Sequence, residues 1–439
     1  MEIKRLINDA IRIAINSVNP YNLVKNCVKI ENEKLYVNQK CYNLNQFEKI
    51  YIFSIGKASF PMAEAIYDIL NEKISKGIIL TKYGYKKERK LKNFEIIEAG
   101  HPILDENSII GAKKIVKLAE NSDDKTLIIN LISGGGSSLF ELPEFDLKLN
   151  ELKKVNDVLL KSGMDINEIN TVRKFLSKVK GGKFAKICYP AKVISLIISD
   201  VVGDRIDTIS SGPTYPDNSD IREVYKKYEK IFIKNFPERI IKILQNFKTT
   251  NLDEKYFENV ENLIIGNNFI ALKTLKDFFS KNGFNLFILT SHLKGEAKEV
   301  AKIFSAIGIE ILKGNSEWKK PFCLISGGET EVYVKGSGVG GRNSELVLSF
   351  LISISEYSYL LNNNLYFASF GTDGTDGPTD SAGALFSCDL LRKIKEKNLE
   401  PIKFLENNDS YTFFKNLNAL IKTGPTNTNV CDVQILIIL

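Results

Sequence analysis

The chain has 439 residues, of which 44% are hydrophobic and 26% are charged, and its formal net charge is +7. This length exceeds one ordinary hydrophobic core and predicts two or three domains. No apolar run approaches the length of a membrane-spanning helix, and residues 1–19 have amphipathic spacing instead of a signal-peptide core. We therefore expect a cytoplasmic protein with no membrane partner. The mild, dispersed positive charge fits small anionic ligands and argues against a nucleic-acid partner.

Cysteine and histidine usage narrows the chemistry. The six cysteines are widely scattered without a C-x-x-C pair, which favours free thiols in a reducing compartment over disulfides or a zinc site. Only two histidines are present, so we expect no chemistry built on several histidines.

The first half of the chain alternates predicted helices and strands. Helical spacing covers residues 1–27, and a polar hairpin is predicted at 29–48. Further strands are predicted at 49–54, 76–81, 94–98, 125–132 and 192–198, and helices at 59–70, 147–162 and 167–179. Lys57 follows a glycine where a strand enters a helix, which is a good position for meeting an anion, although a solvated surface lysine is the alternative. The spacing is not that of a P-loop.

A glycine-rich loop follows the apolar strand at 125–132. It reads SGGGSS at 133–138, and its successive backbone N–H groups and flanking hydroxyls can form a nest for phosphate or carboxylate. The alternative is a flexible turn, but flexible linkers seldom follow an apolar strand directly.

The strand at 192–198 ends in two aspartates, Asp200 and Asp204, on either side of Gly203. Paired acids in this position suit a metal ion or a general base. Helix capping and turn formation are the alternative explanation.

The second half begins after a charged helical stretch at 219–246 and a polar segment at 248–258, where we expect the domain border. Strands are predicted at 261–265, 285–290, 308–312, 321–325, 331–335, 365–370 and 430–439, and helices at 268–281, 294–307, 344–355 and 387–397. The alternation is typical of α/β sheets.

Two loops of this half carry candidate site residues. Arg342 stands at a helix start behind the glycine run 336–341, where it can hold a phosphate bidentately. The same run matches G-x-G-x-x-G, but no acid follows about twenty residues later at a strand end, as a dinucleotide site requires. The loop 371–384 reads GTDGTDGPTDSAGA and carries Asp373, Asp376 and Asp380, which suit metal binding or proton removal better than a simple turn.

The sequence LISGG occurs twice, at 131–135 and 324–328, each time at the end of an apolar strand. Each half also has a strand that ends in an aspartate-rich loop. These parallels suggest two lobes that present glycine-rich and acidic strand ends toward one cleft, where a phosphorylated ligand and a metal would fit.

Together these motifs resemble those of the class II glycerate kinases, the glycerate 2-kinase family whose C-terminal part is the MOFRL domain. The stretches that carry the resemblance, in family order over almost the whole chain, are SIGKAS at 54–59, AGHPILD at 99–105, LISGGGSS at 131–138, VRKFLSKVKGG at 172–182, ISDVVGD at 198–204, SSGPTYPD at 210–217, LISGGET at 324–330, GSGVGGRNSE at 336–345, GTDGTDGPTDSAGA at 371–384 and TGPTNTNVCDV at 423–433. Ser138, Ser344, Thr375 and Asn427 replace the alanine, glutamine, isoleucine and glycine expected there.

The resemblance implies an α/β fold with two lobes. The first is a Rossmann-like α/β/α domain at 1–247, the second is a smaller α/β domain of the MOFRL type at 248–439, and a cleft lies between them. It also implies ATP-dependent phosphorylation of D-glycerate at the 2-hydroxyl, with Mg²⁺, and a possible homodimer.

The family's essential lysine, aspartate and arginine correspond to Lys57, Asp200 and Arg342. Asp204, Asp373 and Asp376 are the predicted metal ligands, although spacing does not decide which of the four acids accepts the hydroxyl proton. The residues expected to bind substrate or phosphate are Ser133, Gly134, Gly135, Gly136, Ser137, Gly327, Gly328, Glu329, Gly340, Gly341 and Asn343.

Two other functions are weighed against the kinase. A nicotinamide-dependent hydroxypyruvate reductase would use the G-x-G-x-x-G match. However, this sequence lacks the acid that would bind the ribose, and hydride transfer does not require so many aspartates. A non-catalytic sensor of sugar acids or nucleotides would bind ligand without turnover and gives no reason for acids at the strand ends.

Overall fold

The computed structural model describes residues 3–246, 252–362 and 364–439. Contacts within the chain divide it into two units. We call residues 20–199 and 204–265 the Rossmann unit, and residues 3–19, 200–203 and 266–439 the C-terminal unit. The predicted domain border between residues 247 and 248 lies outside the described residues.

The strands, in chain order, are β1 Val28–Glu31, β2 Lys34–Val37, β3 Lys40–Asn43, β4 Lys49–Ile55, β5 Lys76–Lys82, β6 Phe94–Ala99, β7 Thr126–Ile132, β8 Lys192–Ile198, β9 Val260–Gly266, β10 Asn285–Ile288, β11 Phe322–Gly328, β12 Leu365–Gly371, β13 Gly383–Ser387, β14 Leu420–Ile421 and β15 Asp432–Ile438.

The α-helices are α1 Ile3–Ser17, α2 Pro20–Cys27, α3 Ser59–Leu70, α4 Glu106–Glu120, α5 Gly136–Leu139, α6 Leu149–Lys161, α7 Ile166–Phe175, α8 Lys183–Cys188, α9 Ile221–Asn235, α10 Glu238–Gln245, α11 Asn268–Lys281, α12 Ala297–Lys313, α13 Arg342–Ser355, α14 Asp389–Glu396, α15 Pro401–Glu406 and α16 Ser410–Asn416. None of the described helices is long and apolar enough to cross a membrane.

The main sheet of the Rossmann unit has the order β6-β5-β4-β7-β8-β9, and the pairs from β6 to β8 are parallel. This is the strand order 3-2-1-4-5-6 of dinucleotide-binding folds. β7 is buried along its whole length, as expected for a parallel strand covered on both faces. The α4 and α8 helices pack on the face that carries Phe53 and Ile55, while α3 packs against β4 and β5. The predicted Rossmann-like α/β class is confirmed.

A second core of the same unit is helical. Leu152 and Val155 of α6, Val172 of α7 and Phe232 of α9 bury their side chains together. The charged stretch predicted as helical at 219–246 forms two helices, α9 and α10, with Pro237 capping the second. The region predicted as a hairpin at 29–48 forms a three-stranded antiparallel sheet, β1-β2-β3.

The C-terminal unit contains a mixed sheet of order β10-β11-β15-β12-β13-β14. β15 runs antiparallel between β11 and β12, so that Asp432 at its start pairs with Gly328 and Gly371 at the ends of its neighbours. The loops after β11 and β12 therefore lie at the same end of the strands as the start of β15. A core of Phe304, Phe350 and Phe367 joins α12 and α13 to this sheet.

Two predicted strands are wrong. Residues 308–312 belong to α12, because Val300, Phe304 and Ile311 are buried at helical spacing and Gly314 ends the helix with left-handed backbone. The predicted strand at 331–335 does not form, because Glu331 makes only an isolated bridge to Glu296 and residues 332–335 pair with no strand among the described residues; Tyr333 and Val334 are exposed.

Candidate active site

The two glycine-rich loops of the Rossmann unit lie side by side. β4 and β7 are adjacent parallel strands with Ile55 paired to Ile132, and the loops 56–58 and 133–136 follow them directly. Strand order reverses between these two strands, since β5 follows β4 on one side and β7 lies on the other. Open α/β sheets bind their ligands outside the carboxyl ends of the strands at such a switch point.

Hydrogen bonds hold the two loops together. The Lys57 N–H donates to the Gly134 carbonyl at 2.9 Å, and the Ala58 N–H donates to Ser133 Oγ at 3.0 Å. Gly56 has a φ of +122°, and a Cβ atom there would lie 2.3 Å from Ser133 Oγ. Only glycine fits this close approach, so the position of Lys57 depends on the neighbouring loop.

The loop at 134–137 offers uncommitted donors. Its four backbone N–H groups donate to no acceptor among the described residues. The Lys57 ammonium group likewise has no hydrogen-bond or ion-pair partner in the part of the chain that the structure describes. Successive free N–H groups beside a cation form a binding site for an oxyanion.

His101 packs against this nest. A Cβ atom on Gly135, whose φ is +88°, would lie 2.9 Å from His101 Cδ2 and 3.3 Å from Lys57 Cγ. Burial, followed by the charges of Lys57 and Lys82, lowers the His101 pKa to about 4. The imidazole is therefore neutral at pH 7, and its buried Nδ1 has no hydrogen-bond partner within the described residues. The sequence motif AGHP contained His101, but its single histidine carried no further signal.

Two serines support the nest from the loop after β8. Ser210 Oγ donates to the Ser133 carbonyl at 3.1 Å, and Ser211 Oγ lies 2.9 Å from Ser137 Oγ. Asp204 belongs to the start of this loop and has a positive φ of 53°.

Arg342 anchors a second cluster, in the C-terminal unit. Its Nε donates to Asp432 Oδ2 at 2.6 Å, its Nη2 donates to Asp432 Oδ1 at 3.0 Å, and its Nη1 donates to Glu329 Oε1. Burial opposes the charge of Arg342, but Asp432 and then Glu329 outweigh it and raise the arginine pKa. Burial also raises the Asp432 pKa to about 6, against the effect of Arg342. Asp432 lies in the motif TGPTNTNVCDV at 423–433 but was not among the predicted site residues.

Asp376 caps the helix that begins with Arg342. Its carboxylate is buried and accepts hydrogen bonds from Asn343 N and Ser344 N, each at 2.8 Å, and from Ser344 Oγ at 2.6 Å. Burial raises the Asp376 pKa despite these donors. These bonds give Asp376 a structural role, since a carboxylate is stabilised at a helix N-terminus. Its role as a metal ligand stays a prediction.

The glycine run 336–341 is wrapped around another loop. The N–H groups of Gly336, Ser337 and Gly338 donate to Asn408 Oδ1, Asn407 Oδ1 and the Asn407 carbonyl, at 2.9–3.0 Å. The Gly341 N–H donates to Ser344 Oγ at 3.2 Å. These donors are therefore committed within the protein, unlike those of the nest at 134–137.

The other predicted residues of the C-terminal unit lie around β11, β12 and β15. Cys431 Sγ donates to the Asp200 carbonyl at 3.1 Å, which places Asp200 beside the residue preceding Asp432. Asp373 Oδ1 accepts from the Thr375 N–H and hydroxyl, each at 3.0 Å. Asn268 fills the space beside Gly327, the position before Gly328 at the end of β11.

The structure thus places the predicted residues in two groups. Lys57, Asp204 and the nest belong to the Rossmann unit, whereas Asp200, Arg342 and the remaining predicted residues belong to the C-terminal unit. Across the described ranges, no three His, Cys, Asp or Glu side chains are arranged to hold a metal ion. The fold is that of a Rossmann-type α/β protein, and its switch point carries a lysine and an N–H nest without partners among the described residues, an arrangement suited to an oxyanion.

Comparison with known proteins identifies the family. Residues 6–245 match the domain of unknown function DUF4147, and residues 322–432 match the MOFRL family. A D-glycerate 2-kinase of Thermotoga maritima is 43% identical over 88% of this chain and 90% of its own length. A glycerate 2-kinase of Pyrococcus horikoshii is 40% identical over 99% of this chain and 96% of its own length.

A solved structure gives the same result. The crystal structure of a glycerate kinase from Thermotoga maritima covers 100% of this chain and 99% of its own, with 39% identity and a TM-score of 0.87. The chain belongs to the DUF4147–MOFRL family of class II glycerate kinases. The resemblance drawn from the sequence motifs is confirmed.

Proposed function

We propose that this chain transfers the γ-phosphoryl group of ATP to the 2-hydroxyl of D-glycerate, giving 2-phosphoglycerate and ADP. The observation that carries the proposal is the set of uncommitted donors at the switch point, which comprises the Lys57 ammonium and the N–H groups of residues 134–137. Phosphoryl transfer needs positioning and neutralisation of phosphate charge more than covalent chemistry. Donors of this kind supply both.

Each group has a proposed task. Lys57 and the nest bind phosphoryl oxygens, where the fixed N–H groups stabilise charge that builds up during transfer. Arg342 keeps two of its five N–H groups for substrate, since three donate to Asp432 and Glu329. Asp200 is the proposed acceptor of the 2-hydroxyl proton. The neutral imidazole of His101 adds no charge beside Lys57.

Mg²⁺ is proposed as the metal. Nucleotide sites hold Mg²⁺ through one or two carboxylates, substrate phosphates and water, so a three-carboxylate cage is not required. Asp373 fits this role, because its Oδ2 accepts no hydrogen bond from the described residues, whereas both Asp376 oxygens are used. The ion would neutralise phosphate charge. Asp204 as a further ligand, a cytoplasmic location and a homodimer stay predictions.

The reductase alternative is disfavoured by the backbone of the G-x-G-x-x-G match. A dinucleotide fingerprint lies directly after a strand and points its N–H groups at the pyrophosphate. Here β11 ends at Gly328, residues 332–341 are irregular, and Gly338 and Gly341 donate within the protein. The actual strand-end nest is at 134–137, and it favours phosphate binding.

The test is incubation of the purified protein with D-glycerate, ATP and Mg²⁺, with the product passed directly to enolase. A signal without a mutase supports phosphorylation at the 2-position. A signal that requires added phosphoglycerate mutase would mean that the 3-hydroxyl is the acceptor. Absence of ADP, together with NADH consumption on hydroxypyruvate, would replace the kinase by the reductase.

A further inference from the structure

One guanidinium group in the Rossmann unit is desolvated without a carboxylate partner. Arg173, in the last turn of α7, is half-buried, and its Nε donates to Asn156 Oδ1 at 2.8 Å. Its two terminal nitrogens have no hydrogen-bond partner among the described residues. Burial lowers the Arg173 pKa, opposed only by the charge of Glu141. A desolvated arginine normally has a carboxylate or another anion against it.

The neighbouring charges leave Arg173 uncompensated. Lys180 and Glu141 form a buried ion pair, with 3% and 8% of their side chains exposed. Burial lowers the Lys180 pKa, Glu141 opposes this shift, and the like charge of Arg173 adds to it. Two cations therefore share one carboxylate, and one positive charge remains unmatched.

Two neighbouring lysines of the same segment are committed. Lys174 forms an ion pair with Asp217 at 2.9 Å. Lys183 donates to the carbonyls of Lys174, Phe175 and Ser177, at the end of α7. Within residues 173–183, Arg173 and Lys178 have side-chain donors without a partner among the described residues, and of these two only Arg173 has a planar guanidinium fork.

This cluster lies in the same group of loops as the phosphate nest. Glu141 comes two residues after α5, which begins in the nest. The Lys178 N–H donates to the Leu142 carbonyl at 2.7 Å, and the Gly181 N–H donates to the Ser211 carbonyl at 2.9 Å. Ser211 in turn contacts Ser137 of the nest. The segment that follows α7 and Arg173 is therefore hydrogen-bonded to the loops on both sides of the nest.

We propose that Arg173 binds the carboxylate of the acceptor acid, with the Lys180–Glu141 pair fixing its surroundings. This inference rests on the proposed function. The planar fork of a guanidinium matches a carboxylate bidentately. One unmatched positive charge fits a monoanion, whereas the polyphosphate has the nest and Lys57. The substrate class is then a short 2-hydroxy acid, because an alcohol without the carboxylate would leave Arg173 unpaired.

The experiment compares the wild type with Arg173→Gln and Arg173→Lys. Steady-state kinetics give the KM for D-glycerate and for ATP, and thermal unfolding with and without D-glycerate, in the absence of ATP, reports binding directly. We expect Arg173→Gln to raise the KM for D-glycerate about 100-fold, as for two lost hydrogen bonds to a charged group. The KM for ATP should stay within about threefold, and D-glycerate should no longer raise the Tm. Arg173→Lys keeps the positive charge but loses the planar fork of the guanidinium. Its KM for D-glycerate should therefore lie between those of the wild type and Arg173→Gln.

The matched control is Arg222→Gln, an exposed arginine of the same unit that pairs with Asp220. It should change neither KM. An unchanged KM for D-glycerate in Arg173→Gln overturns the inference, and a raised KM for ATP alone reassigns Arg173 to the nucleotide. If the wild type shows no kinase turnover, the proposed function fails. Stabilisation by D-glycerate that Arg173→Gln abolishes would still support the subsite, and an equal Tm shift in both proteins would overturn it.

Discussion

Asp432 binds Arg342 through both carboxylate oxygens, at 2.6 Å from Nε and 3.0 Å from Nη2. The carboxylate is buried at the start of β15, whereas a third of the arginine side chain is exposed. Glu329 takes a further N–H of the same guanidinium. Asp432 therefore positions Arg342 and leaves its exposed N–H groups available for a substrate oxygen.

The first prediction concerns loss of this arginine. Arg342→Ala should lower kcat/KM about 1,000-fold and destabilise the protein by about 2–4 kcal/mol at pH 7.5, because it leaves a buried carboxylate unpaired. The folded-state pKa of Asp432 is already raised to about 6 and loses its main counter-charge in the variant. A carboxyl group with a raised folded pKa destabilises the fold as pH rises through that pKa. Urea unfolding should therefore show Arg342→Ala relatively more stable at pH 5 than at pH 7.5.

The double variant Arg342→Ala/Asp432→Asn is the matched control. Removing the buried charge should restore much of the stability lost at pH 7.5 but none of the activity. A double variant no more stable than Arg342→Ala would show that the two side chains do not depend on each other.

The second prediction separates the role of Lys57 from the fold. Its ammonium group contacts no partner within the described residues, so Lys57→Ala should change the free energy of unfolding by no more than about 0.5 kcal/mol. Loss of a charge aimed at phosphate should reduce kcat about 100- to 1,000-fold. The exposed Lys90→Ala, in the same unit, should retain wild-type turnover. Full activity of Lys57→Ala would remove it from the site.

The sequence was most informative where a local pattern has one structural solution. An apolar run followed by glycines predicts a buried strand and a turn, and the loops containing Lys57 and Gly135 are found where the motifs placed them. Residues 308–312 were predicted as a strand but belong to α12. The apolar β-branched residues that suggest a strand also occur in helices that have a buried face.

Contacts between distant residues could not be predicted in this way. Asp432 and Arg342 are 90 residues apart, and only the antiparallel placement of β15 brings them together. The capping of α13 by Asp376 and the wrapping of residues 336–341 around 407–409 also depend on tertiary structure. Aspartates and glycines at strand ends therefore identified the regions of the site but not the tasks of individual side chains.

The third prediction tests the shape of the nest. Gly135→Ala places a Cβ 2.9 Å from His101 and forces alanine into left-handed backbone, so it should both destabilise the protein and raise the KM for ATP at least about tenfold. Gly84→Ala is the control, since Gly84 has a similar φ of +80° and nothing within 4 Å of the added Cβ. Gly84→Ala should show only the destabilisation that comes from placing alanine in left-handed backbone. Equal KM values in the two variants would contradict the assignment of the nest.

The fourth prediction follows from the neutral imidazole of His101, whose pKa is lowered to about 4 from an ordinary value near 6.5. Between these two pH values the unfolded chain binds one more proton at this residue than the folded chain does. The wild-type free energy of unfolding should therefore fall as pH decreases from 6.5 toward 4, and this contribution is absent above that window. The side chain of His101→Gln cannot titrate, so the free energy of unfolding of this variant should vary less over the same pH range.

Urea unfolding at pH 4.5, 5.5 and 7 measures how the free energy of unfolding depends on pH. The control is His292→Gln, which removes the other, exposed histidine. Equal slopes for the wild type and His101→Gln would mean that the imidazole next to Lys57 is not held neutral by burial.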